Sequence, residues 1–220
     1  DDKWILFSID KGGDENFQIK LIDTSDYINI ISLSDDMSVR NDFGGWSTDG
    51  STIVYSSNKR NAAYFDLYTQ EINGESKLVY QTSEDVHSVA FKAYSNDLKK
   101  ILFTEERTNR YQYLKILDTE SGNISQLSDN NLNGGFKQAI FSDEDDEIII
   151  ITNEGKDFSG IVKLNLKSNN LRYIYLEDHE VEYFKMDSEN NRLIFYINDR
   201  GYSKLGILNL LNDDSEILDN

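Results

Sequence analysis

The sequence predicts an all-β protein built from one repeated unit of four short antiparallel strands. Three observations predict it. A short apolar phrase recurs five times, as Ile5-Leu6-Phe7, Ile53-Val54-Tyr55, Ile101-Leu102-Phe103, Ile148-Ile149-Ile150 and Leu193-Ile194-Phe195. The copies start 48, 48, 47 and 45 residues apart, a period typical of stacked supersecondary units. The chain is also rich in strand-forming aromatics, with 13 Tyr and 11 Phe in 220 residues. Finally, no segment carries sustained helical periodicity.

Each element follows from the repeat. Seven residues before the phrase, in the last four copies, stands a bulky apolar residue: Trp46, Tyr94, Phe141 and Met186. Three residues after it comes an acid: Asp49, Asp97, Glu144 and Glu189. The fullest version runs Gly45-Trp46-Ser47-Thr48-Asp49-Gly50-Ser51-Thr52-Ile53-Val54-Tyr55-Ser56, which predicts strand, tight polar turn, strand. The chain has no proline, so its turns rely on Gly, Asn, Asp and Ser. A polar loop follows the phrase. The third strand then alternates with period two, as in Gln18-Ile19-Lys20-Leu21, Phe65-Asp66-Leu67-Tyr68 and Tyr113-Leu114-Lys115-Ile116. Ile161-Val162-Lys163-Leu164 and Lys204-Leu205-Gly206-Ile207 continue the series. A Gly-containing or polar turn leads to a short fourth strand near Ile30, Leu78, Ile124, Tyr173 and Ile217.

Four antiparallel strands in about 45 residues, repeated, make the blade of a β-propeller. One such sheet cannot bury both faces alone, so neighbouring blades must cover one another. The expected blades span approximately 1–36, 37–82, 83–129, 130–176 and 177–220 of a single domain. The first begins at its second strand. The expectation is therefore five blades less one innermost strand. Either the propeller closes imperfectly or the natural protein is longer, and a free strand edge leaves edge-mediated self-association open.

The stretch from Trp46 to Ser56 and the following Phe65-Asp66-Leu67-Tyr68 resemble the TolB-type (WD-like repeat) β-propeller family. That family repeats a W-S-P-D-G-x-x-I-x-F-x-S core, a basic loop and a D-L-Y strand. Thr48, Asn96, Asp143 and Ser188 stand where it usually has Pro, and the likeness fades from the second blade to the fifth. The resemblance implies a binding platform or an accessory domain of a peptidase. It also implies an extracytoplasmic setting (periplasmic, cell-surface or secreted), as the sensory or adaptor part of an envelope or surface protein. Fold alone transfers little more.

Composition narrows the partners. With 22 basic and 40 acidic residues the formal charge is −18, a surface that repels nucleic-acid phosphates and anionic lipid. Neither is an expected partner; a protein, a peptide or a glycan is. There is no cysteine, hence no disulfide and no thiolate metal site. No apolar run is long enough to span a membrane. The chain begins Asp1-Asp2-Lys3, which suggests a processed or trimmed chain without its targeting segment.

Candidate functional residues are those that depart from the repeat. His87 and His179, the only histidines, lie seven residues before Tyr94 and Met186. They occupy equivalent positions just ahead of innermost strands, flanked by Glu84, Asp85, Asp178 and Glu180. The loops after the second strands carry Lys59, Arg60, Arg107, Arg110, Lys156 and Arg200, with Tyr64, Tyr111 and Tyr202 beside them. In a propeller these loops share one face with the histidines. Guanidinium groups there suit a carboxylate, sulfate or acidic peptide, and tyrosines add contact area. The competing expectation is internal: Arg60 holding Asp66 and Arg200 holding Asp199.

The acid runs Asp143–Glu147 and Asp187–Asn191 fall on turns and lack a calcium loop's spacing, so no metal or other cofactor is expected. No G-x-S-x-G elbow is present, so no catalytic residue is assigned. A five-bladed glycosidase would need paired inward carboxylates; Asp42 and Glu182 are the inner-strand acids. A purely architectural domain is the third alternative.

Overall fold

The computed structural model describes residues 3–86, 88–108, 111–128, 134–187 and 191–218. His87 and Arg110 lie outside the described residues. Among those described there are 19 strands and no helix. The first sheet contains β1 (Trp4–Ile9), β2 (Gln18–Asp23) and β3 (Ile30–Ser32). The second contains β4 (Asn41–Trp46), β5 (Thr52–Asn61), β6 (Tyr64–Glu71) and β7 (Lys77–Tyr80). The third contains β8 (Ser88–Tyr94), β9 (Lys100–Thr108), β10 (Tyr111–Asp118) and β11 (Ile124–Gln126). The fourth contains β12 (Phe136–Phe141), β13 (Glu147–Thr152), β14 (Gly160–Asn165) and β15 (Asn170–Tyr175). The fifth contains β16 (Glu180–Asp187), β17 (Arg192–Asp199), β18 (Tyr202–Asn209) and β19 (Ser215–Leu218).

Every sheet is an antiparallel meander in chain order, the arrangement short polar turns dictate. Four sheets have four strands and the first has three, the count the repeat predicts. The recurring phrase lies on the second strand of each four-stranded sheet. On β5, β9 and β13 it is enclosed on both faces, with Ile53, Val54, Ile101, Leu102, Phe103, Ile148 and Ile150 fully buried, whereas on β17 Leu193 and Phe195 are enclosed and Ile194 between them is 46% exposed. An almost unbroken apolar run of this kind is what a strand covered on both faces requires.

The chain divides into two compact units, Asp1–Asn109 with Tyr113–Gln126, and Arg110–Gln112 with Leu127–Asn220. In the first, Val54, Leu67, Val89, Ile101, Phe103 and Leu117 form one core cluster. A smaller cluster joins Ile19, Ile53, Tyr55 and Tyr68. In the second, Ile149, Ile151 and Ile161 pack with Phe184, Leu193 and Phe195.

The turn between first and second strands is built alike in successive sheets. Ser47 Oγ donates to Asp49 Oδ1 (2.6 Å) and accepts from Thr52 N (3.0 Å). Ser95 Oγ donates to Asp97 Oδ1 (2.7 Å) and accepts from Lys100 N (2.8 Å). Gly50 has the left-handed φ that closes such a turn, +71°. Leu98 and Asp145 take the same conformation at the matching positions, at 61° and 54°. The turn carboxylates are therefore part of the backbone's own hydrogen bonding. The Ser47 and Ser51 donors hold Asp49 below the ordinary carboxylate value.

Candidate recognition face

Lys59, Arg60, Arg107 and Lys156 fold back onto neighbouring side chains. Arg60, near the end of β5, donates through Nε and Nη2 to the carboxylate of Asp66 on β6, at 2.5 and 2.9 Å. The Asp66 side chain is fully enclosed and also accepts from Thr82 N and Thr82 Oγ1, both at 2.9 Å. Burial pushes this carboxyl up; the Arg60 fork and the Thr82 donors outweigh it and hold it below its ordinary value. Lys59 sits 3.9 Å from the centre of the Tyr68 ring. Lys156 lies over Tyr173 at 5.8 Å. Arg107 pairs with Asp85 (2.8 Å) and lies over the Tyr113 ring at 4.9 Å. Arg60 and Arg107 thus grip the two ends of one connection, Thr82 to Asp85, between β7 and β8.

In the second unit, the expected Arg200–Asp199 ion pair does not form. Asp199 instead accepts from Lys204 Nζ at 2.7 Å. The register explains it. Asp199 stands opposite Tyr202, and Lys204 is the next residue on that face of β18. Arg200 occupies the turn, with a left-handed φ of 53°, and makes no ion pair among the described residues. Its charge and that of Lys204 lower Asp199, Lys204's hydrogen bond acting most, and His179 adds to the effect. His179 shares a 2.7 Å hydrogen bond with the Tyr175 hydroxyl through Nε2. Burial, with Glu177 nearby, pushes that phenol up to about 12. The structure therefore gathers His179, Asp199 and Arg200. Next to them Tyr202 is 75% exposed. Tyr64 is half-buried at the start of β6, and Tyr111 is exposed at the start of β10.

Sequence reasoning missed the site's central cation. In the first unit a cleft of about 480 Å³ opens between β4 and β8, on the side of the β5–β6 loop. Arg40, Asp42, Phe65, Phe91, Ser88 and Glu106 line it. Arg40 Nε donates to both Asp42 oxygens at 2.9 and 3.0 Å, and Nη1 reaches Glu15 at 3.4 Å. Its guanidinium also lies over Phe17 and Phe65, at 5.4 and 6.0 Å. Ser88 Oγ donates to Glu106 at 2.7 Å. Backbone bulges shape the walls: β4 is irregular between Phe43 and Gly45, and β8 between Phe91 and Ala93. A Cβ on Gly44 would stand 2.6 Å from Phe91 Cβ, so only glycine lets the two strands approach here. The extra residue of the β8 bulge is Lys92, whose ammonium desolvation pushes below the ordinary lysine value. One signal was legible: Arg40-Asn41-Asp42 puts a cation and an acid two residues apart, on the same side of a strand.

Among the described residues no group of three or more His, Asp or Glu side chains is placed to hold a metal ion. No family model and no curated protein matches the chain in sequence. Solved structures do match in fold. TolB from Acinetobacter baumannii superposes with a TM-score of 0.74 at 15% identity, over 98% of this chain and 52% of that one. The fold is a TolB-type β-propeller. A putative TolB from Agrobacterium tumefaciens gives 0.72 at 12% identity, over 98% of this chain and 76% of that one. Prolyl endopeptidase gives 0.74 at 11% identity, over 99% of this chain but 34% of that one. The chain thus spans about half the length of the Acinetobacter TolB and a third of the peptidase. At these identities the likeness concerns the TolB-type fold alone.

Proposed function

We propose that this chain is a non-catalytic binding platform that takes a protein or peptide segment on its loop-bearing face. The observation that carries this is the cleft of Arg40. Arg40 is paired with Asp42, and Glu106 accepts from Ser88, so the cleft offers a fixed pattern of donors and acceptors beside the aromatic rings of Phe65 and Phe91. Such preorganisation lowers the ordering cost of binding. In the second unit, Arg200 and Tyr202 present an exposed cation and ring of their own, a composition common at binding hot spots. In the first unit, Arg60 and Arg107 act behind the Arg40 cleft, holding the loop that precedes β8. The TolB-type fold supports an extracytoplasmic setting as a sensory or adaptor domain.

The test is capture by the purified chain, comparing the parent with Arg40→Ala and with the double variant Arg200→Ala/Tyr202→Ala. Circular dichroism establishes that each variant folds. Loss of a captured partner with either variant is expected. Unchanged capture by both overturns the choice of face.

One observation favours a second reading. Asp42 and Glu106 line the same cleft, as the two carboxylates of a glycosidase would. Turnover of chromogenic glycosides that disappears in Asp42→Asn and Glu106→Gln would establish it in place of the platform.

A further inference from the structure

The recurring apolar phrase also sets how one sheet stacks on the next. In three places the second residue of one copy packs with the first and third of the following copy. Leu6 joins Ile53 and Tyr55. Val54 joins Ile101 and Phe103. Ile149 joins Leu193 and Phe195. Two faces of this kind have no such counterpart among the described residues. Ile194, the second residue of the last copy, is 46% exposed, whereas Val54 and Ile149 are buried. Ile5, the first residue of the first copy, is 47% exposed, whereas Ile53, Ile101 and Leu193 are fully enclosed. On the fifth sheet Ile194 lies in a cross-strand row with Lys185 and Ile207, beside the row Tyr183–Tyr196–Leu205. Both of those tyrosines are exposed, with ring centres 6.2 Å apart. On the first sheet Ile5 lies in a row with Ile22 and Ile30, beside Phe7 and Lys20. Each set of rows holds one lysine and no acid, in a chain with 40 acidic residues. Two copies therefore repel one another least where these two faces meet.

We propose that the Ile194 face of one copy stacks on the Ile5 face of a second copy, repeating between chains the sheet-on-sheet contact already made three times within one. The contact joins two different faces, and each copy carries one of each, so association need not stop at a pair. It is made face to face and uses no free strand edge. It rests on the stacking pattern of the phrase and stands whether or not the recognition face is correctly chosen.

Sedimentation velocity of the whole chain tests it, at an ionic strength of about 0.15 M, where the screening length is about 8 Å. The weight-average mass should at least double as concentration rises through the micromolar range. Ile194→Glu and Ile5→Glu each block one face at an exposed position. Each variant alone should stay monomeric, with the parent's circular dichroism spectrum. An equimolar mixture of the two should form a dimer and nothing larger. The Ile194→Glu chain keeps its Ile5 face, the Ile5→Glu chain keeps its Ile194 face, and one contact uses up both. A parent that stays monomeric overturns the proposal, and so does a mixture that stays monomeric. A single variant that associates like the parent also overturns it, because the contact then lies elsewhere. A monomeric parent whose melting temperature falls in both variants would put the contact within one chain and overturns it too.

Discussion

Asp66 shows how a single residue decides what the neighbouring cations do. A carboxylate taken wholly out of water needs compensation, and here it receives four hydrogen bonds, from Arg60 and Thr82. Asp66→Ala removes their shared acceptor. Because Arg60 is partly solvated, the loss is smaller than for a fully buried pair, roughly 2–3 kcal/mol. Urea titration measures it. The sign of the pH dependence follows from the lowered pKa. Asp66 contributes its stability in full above the unfolded value of about 3.9, and the contribution fades as pH falls through the lower folded value. Glu180 behaves alike: burial pushes it up, but Ser159 and Lys137 more than reverse this. The parent should therefore lose stability steeply below about pH 4, and Asp66→Asn should flatten that acid limb. An unchanged limb would show that Asp66 is not depressed.

Hairpins and facing strands come next in size. The Ser–Asp turn repeats because one hydroxyl both donates to the turn acid and accepts from the backbone at the start of the next strand. Ser95 is fully buried, so Ser95→Ala leaves Lys100 N without its acceptor. A loss of about 1 kcal/mol in urea unfolding is expected. Packing across strands is less forgiving. Gly206 on β18 faces Phe195 on β17, and an added Cβ would overlap the Phe195 ring. Gly206→Ala should destabilise by about 1–3 kcal/mol, seen as a lower melting temperature with an unaltered strand signal. If Gly206→Ala matches the parent, Phe195 has room that the structure does not provide.

For the molecule as a whole, the charge of −18 is the dominant long-range effect. Like charges repel more in the compact state than in the unfolded chain. Raising ionic strength from about 0.01 to 0.15 M shortens the screening length from about 30 to 8 Å. The melting temperature should rise over that interval, and a fall would show that attractive ion pairs outweigh the net repulsion. Pairs such as Arg172–Asp213 and Lys99–Glu120 are exposed enough to contribute little.

The sequence by itself determined the sheets. Strand identity depends on period-two patterning, and turn identity on which residues accept left-handed backbone or cap it with a side chain. Both are local, so Trp46, Asp49 and the recurring apolar phrase disclosed them. Tertiary structure alone decided what each charged group does. Arg60 turned inward because Asp66 was enclosed together with Thr82, sixteen residues further on. Asp199 chose Lys204 over its neighbour Arg200 because strand register, not sequence adjacency, sets which side chains meet. Arg40 entered the site because two bulged strands approach across Gly44 and Phe91. Electrostatic partnership depends on distance and burial, which a linear pattern carries only where neighbours in sequence are neighbours in space.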